Sequence, residues 1–121
     1  MMTNTKEFQA GVSVAPVTDW HYYDTKWAEF GMKRPVDNPE GYESTSFVKT
    51  AKNLHGSLLL VHGTYDDNVH PQNSWHFIDE LVKENIQFEM MFYPMRKHGI
   101  ADDEARIHLY TKMLSFWELN L

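Results

Sequence analysis

Cysteine is absent from the 121 residues, which removes disulfides and thiolate metal sites from consideration. Long apolar runs are equally absent. The longest, Leu58 to Val61, is far too short to span a bilayer. Basic residues are few, 11 Lys and Arg against 17 Asp and Glu, and they form no patch. The formal charge of −6 therefore argues against nucleic-acid binding. His70 and His76 have neither a His-Glu-x-x-His frame nor a carboxylate cluster at ligand spacing, so no metal and no cofactor is expected. The first residues, Met1 to Glu7, carry no apolar core of a signal peptide. They read as the tail of an element that begins elsewhere. No repeat, low-complexity stretch or Pro/Gly-rich linker divides the chain.

What is present suits a single unit with a core: 42% hydrophobic and 14% aromatic residues. Ala10 to Ala15 is a short, partly β-branched run closed by Pro16, and predicts a strand. Asp19 predicts a helix cap, followed by Trp20, Tyr23, Trp27 and Phe30 on one helical face. Arg34 to Tyr42, with its prolines and glycine, predicts a loop. Ser44 or Thr45 then opens a short helix reaching about Asn53. Ser57 to His62 is apolar at both alternating positions, as in a strand covered on both sides of a parallel sheet. Pro71 suits the first turn of the next helix, with Trp75, Ile78, Leu81 and Val82 inward. Gln87 to Tyr93 predicts a third strand. Asp102, Asp103 and Glu104 favour the amino end of a last helix, whose stripe is Ile107, Tyr110, Leu114 and Trp117.

The alternation predicts an α/β fold with about three parallel strands and flanking helices. In such sheets chemistry collects beyond the carboxyl ends of strands. Asp66 follows the second strand and His98 the third, so both fall on that rim. Composition alone would make Asp66-Asp67-Asn68 a turn with side chains bonding their own backbone. The alternative is an acid and a base of a hydrolase.

Five stretches decide between them: Val14-Ala15-Pro16-Val17-Thr18-Asp19-Trp20-His21-Tyr22-Tyr23-Asp24, Asn38-Pro39-Glu40-Gly41-Tyr42, Leu59 to His70, Gln72-Asn73, and His98-Gly99-Ile100. In this order and spacing the chain resembles the carboxy-terminal part of the catalytic domain of the prolyl oligopeptidase family (peptidase S9), dipeptidyl peptidase IV branch. The resemblance implies a partial α/β-hydrolase fold containing the last strands of the sheet, with residues 1–121 a carboxy-terminal piece. It implies that Asp66, not Asp67, is the triad acid and that His98 is the triad base. Asn68 matches the amide that holds a substrate carbonyl. Val17, Trp20, Tyr23 and Val69 match walls of the pocket for proline or alanine. Trp27 stands where the family usually has a second pocket tyrosine, and Met95 replaces a common aspartate. The implied partner is a peptide with Pro or Ala in second position, its free amino terminus held by acidic residues of a separate propeller domain. Family members are often exported or periplasmic.

The family's Gly-x-Ser-x-Gly elbow has no match. Gly11-Val12-Ser13-Val14-Ala15 approximates it, but an elbow needs a helix directly after the serine, and Ser13 lies inside a strand-like run with Pro16 behind it. Two expectations follow. The chain is the acid-and-base piece of a serine exopeptidase that releases Xaa-Pro or Xaa-Ala dipeptides, inactive alone. The alternative is a non-catalytic interaction module that self-associates through an open sheet edge or complements the missing part.

Overall fold

The computed structural model describes residues 1–121. Three parallel strands form one sheet in the order β1-β2-β3: β1 at Ala10–Val14, β2 at Ser57–Gly63 and β3 at Glu89–Tyr93. Helices cover both faces, which gives the α/β architecture of about three parallel strands and flanking helices that the sequence predicts.

β2 is central because its run Leu58 to Val61 is apolar whichever way the side chains point. Leu59 and Val61 pack on one face with Tyr93, Ile100, Ala105, Leu109 and Phe116. Leu58 packs on the other face with Ala51, Phe77 and Leu81. Burying each leucine or valine side chain contributes about 1.5–3 kcal/mol, so this one strand anchors both layers. The first layer is α5 (Asp103–Asn120), started by Asp102, whose carboxylate accepts from the Ala105 N–H. The second is α4 (Gln72–Lys83) with the short α3 (Phe47–Thr50) and the 3-10 turn Ala51–Asn53 that continues it. No helix is long and apolar enough to cross a membrane.

Several sequence expectations are corrected. The helix expected from Asp19 breaks in two. Asp19 caps only a 3-10 turn at Trp20–Tyr22, and Asp24 caps α1 (Thr25–Met32) by accepting from the Trp27 N–H. The four aromatic residues therefore do not share a buried face: Trp27 and Phe30 are exposed, Phe30 at 90%. Part of the expected loop is α2 (Pro39–Ser44). Asn38 caps it, Pro39 fills its first turn, and Tyr42 is buried with its hydroxyl donating to the Lys33 carbonyl. The helix expected from Ser44 or Thr45 starts later, behind Ser46.

Both long helices turn only part of the expected side inward: Leu81 on α4 is buried and Trp117 on α5 packs against the core, but most of the other expected residues do not. On α4, Asn73, Ser74, Phe77 and Leu81 are buried while Trp75 and Val82 are exposed. On α5, Ala105, Leu109 and Phe116 are buried while Ile107, Tyr110 and Leu114 face solvent. On α4 the buried side chains of Asn73 and Ser74 have hydrogen-bond partners, so they are accommodated on the same inward side as Phe77 and Leu81.

Candidate active site

The site grows from the carboxyl ends of β2 and β3. Gly63 closes β2, and its backbone lies so near the loop after β3 that an added Cβ would sit 2.2 Å from the Arg96 carbonyl oxygen. That approach lets the Thr64 N–H reach the Tyr93 carbonyl and the Tyr65 N–H reach the Arg96 carbonyl, stitching the two rims together. The Thr64 hydroxyl adds a bond from the Met95 N–H. Met95 and Ile100 hold positive φ values of 59° and 41°, unfavourable for residues with a Cβ. The Arg96 guanidinium offsets that cost with a two-pronged bond to Asp102 at 3.0 Å each, tying the loop to the cap of α5. The loop thus crosses a short span under firm restraint, and His98 stands in it.

Asp66 is buried, and His98 is half-exposed above it, with His98 Nδ1 2.9 Å from Asp66 Oδ2. The other carboxylate oxygen accepts from the Asn68 N–H at 3.0 Å and the Val69 N–H at 2.9 Å. This is also the turn that composition alone suggested, so both readings of Asp66-Asp67-Asn68 describe one structure. Asp67 faces away and pairs with Lys97, whose ammonium holds that carboxyl below its ordinary range. With Nδ1 committed to Asp66, the Nε2 side of His98 is left to meet a proton donor.

The other sequence-predicted residues divide. Tyr23 donates its hydroxyl to Asn68 Oδ1 at 2.7 Å, which leaves the Asn68 amide hydrogens free to bind a carbonyl. Trp20 packs edge-on against Tyr23 with ring centroids 5.9 Å apart. Val69 is buried beside Asp66. Val17 lies on a different feature, a largely apolar cavity of about 350 Å³ at the β1 side of the sheet, shared with Pro16, Phe47 and Leu60. Trp27 is 63% exposed on α1, away from the Trp20–Tyr23 pair in its ring contacts. Ser13 sits within β1 opposite Leu60, in regular pairing, not on a strand-to-helix turn.

Asn73 belongs to one of the stretches that carry the resemblance, but the sequence assigned it no role. Fully buried at the start of α4, it accepts from the Thr18 N–H and donates to the Tyr22 and His70 carbonyls, while the Thr18 hydroxyl donates to its backbone oxygen. It therefore pins the segment bearing Trp20 and Tyr23 to the turn bearing Asn68. Asp19 closes that segment from the other side. Burial opposes its charge, yet bonds from the Ser46 hydroxyl, the His21 N–H and the His21 ring hold its carboxyl below the ordinary value. No group of His, Cys, Asp and Glu is arranged to hold a metal ion.

Comparison with known proteins adds an independent line. The profile of the prolyl oligopeptidase family matches residues 1–121. A crystal structure of Porphyromonas gingivalis dipeptidyl peptidase 4 superimposes with a TM-score of 0.97 at 41% identity, over 99% of this chain and 17% of that one. A probable dipeptidyl-aminopeptidase B of Aspergillus oryzae is 43% identical over 93% of this chain and 13% of its own length. Dipeptidyl peptidase 4 of Bos taurus is 40% identical over 90% and 15%. The chain thus spans about a sixth or less of the relatives it matches.

Proposed function

Starting from the premise that this chain belongs to the prolyl oligopeptidase family, we propose that it supplies the acid and base of a serine exopeptidase that releases Xaa-Pro and Xaa-Ala dipeptides. The observation that carries this is the 2.9 Å bond between His98 Nδ1 and a buried Asp66 at the carboxyl rim of a parallel sheet. In that arrangement His98 takes the serine proton on Nε2 and returns it to the leaving amine. Asp66 fixes the ring's tautomer and steadies the imidazolium. Asn68 donates its amide to a substrate carbonyl, and Tyr23, Trp20 and Val69 wall the slot for a compact side chain. The serine belongs to a part of the enzyme outside these residues, and the chain by itself is inactive.

The test is a chimera in which residues 1–121 replace the matching part of the Porphyromonas gingivalis enzyme. We expect it to hydrolyse Xaa-Pro and Xaa-Ala chromogenic substrates, and the isolated chain neither to do so nor to be labelled by a serine-directed phosphonate. A folded but inert chimera, or labelling of the isolated chain at Ser13, would overturn the reading.

One observation favours a second role for the isolated chain. β1 is an edge strand, its outer side offers unpaired backbone groups, and the apolar cavity lies alongside. Self-association through that edge should give a dimer or larger species by light scattering at high micromolar concentration. A cooperative monomer would count against it.

A further inference from the structure

His62, at the carboxyl end of β2, is wholly buried, and the chemistry above gives it no task. A buried imidazole is costly unless both nitrogens are partnered. Its Nε2 faces two oxygens that can only accept: the Val69 carbonyl at 2.8 Å and Asp66 Oδ2 at 3.2 Å. Nε2 therefore carries a hydrogen whatever the charge of the ring. Nδ1 lies 2.7 Å from the hydroxyl of Ser74, itself fully buried on α4. Phe92, the neighbour across the sheet, lies nearly parallel to the ring at 9° with centroids 6.4 Å apart.

Counted at the carboxylate, Asp66 accepts three hydrogen bonds: two from backbone N–H groups on Oδ1 and one from His98 on Oδ2. His62 Nε2 stands close to Oδ2 but directs its hydrogen to the Val69 carbonyl, at the end of the turn that grips Oδ1. The two histidines beside Asp66 differ in kind. His98 is half-exposed on a loop, whereas His62 belongs to the central strand and is locked on three sides. We infer that His62 is a positioning residue for the acid–base pair: its Nε2–H holds the Val69 carbonyl, and with it the turn whose N–H groups grip Asp66 Oδ1 and leave Oδ2 toward His98, while Ser74 sets the orientation of the His62 ring. Asp66 is then held from β2 and α4 independently of the loop that carries the base. The inference rests on the proposed reading of Asp66 and His98 as acid and base.

The test follows the His98 Nδ1 proton of the isotopically labelled chain by NMR. The wild-type chain should show a far-downfield signal that exchanges slowly with water. His62→Gln, which places an amide N–H near the position of Nε2, should keep it. His62→Leu, similar in bulk but without a donor, should speed its exchange at least tenfold while the amide spectrum stays folded. If His62→Leu unfolds, Ser74→Ala takes its place, with at least a threefold increase expected. Unchanged exchange in the folded variant, His62→Gln failing to rescue, or no such signal in the wild type would each overturn the inference. The readout needs no turnover. An inactive chimera would sink the peptidase reading and leave this result standing, and the converse also holds.

Discussion

At the scale of single residues, small backbone facts decide whether Asp66 meets His98. Gly63 is the sharpest case: no side chain fits between β2 and the Arg96 carbonyl. Gly63→Ala must force the two rims apart, and overpacking of this kind costs about 1–3 kcal/mol. Urea unfolding should register that loss. Gly99→Ala is the matched control, since its Cβ would meet only Ala101 Cβ at 4.0 Å and should change stability by less than about 0.5 kcal/mol. Equal effects would show that the close approach is not what places the loop. That Asp66 and His98 lie together on one rim was legible from the sequence, because both follow the carboxyl ends of adjacent parallel strands. His62, Ser74 and Asn73 were not legible as a buried network. Hydrophobic patterning assigns polar residues to the surface, and only their partners across the fold reveal why they are inside.

At the scale of elements, the strands were read close to their observed bounds, but the inward sides of the helices only in part: Leu81 and Trp117 pack as expected, whereas Trp75, Val82, Ile107, Tyr110 and Leu114 do not. β2 is apolar from Leu58 to Val61, on both alternating faces, so no choice of face was needed. α5 has apolar residues all round, and the stripe Ile107, Tyr110 and Leu114 competed with Ala105, Leu109 and Phe116 on nearly equal terms. Ala105, Leu109 and Phe116 are the residues that join Leu59 and Val61 in the core. α2 carried its own signal, Asn38 followed by Pro39, which the glycine at position 41 obscured.

The junction of the His98 loop with α5 makes a pH prediction. Arg96, with the Ala105 N–H, holds the Asp102 carboxyl at about 2, below its ordinary value. A carboxylate depressed in the folded state stabilises fully above its unfolded pKa, near 4, and loses that contribution as pH falls toward 2. Stability measured by urea unfolding should therefore decline between about pH 4 and 2. Asp102→Asn keeps an oxygen for the cap but removes the charge pair, so part of that decline should vanish. Identical slopes would mean that the clamp does not contribute to holding the loop.

At the scale of the whole molecule, the fold brings together what the sequence separates. Asp66 and His98 lie 32 residues apart and meet only because two parallel strands end side by side. The segment bearing Trp20 and Tyr23 joins them through Asn73 and Asn68, while Val17 and Trp27 stand apart from that cluster. The central claim is that Asp66, and not its neighbour Asp67, is the acid that serves His98. The most direct measurement compares kcat/KM for an Xaa-Pro substrate in the chimera carrying Asp66→Asn with that carrying Asp67→Asn. The account predicts a loss of about 10⁴-fold for Asp66→Asn and a loss of less than about threefold for Asp67→Asn, whose carboxylate is exposed and paired with Lys97. Equal losses, or a larger one at Asp67, would contradict it.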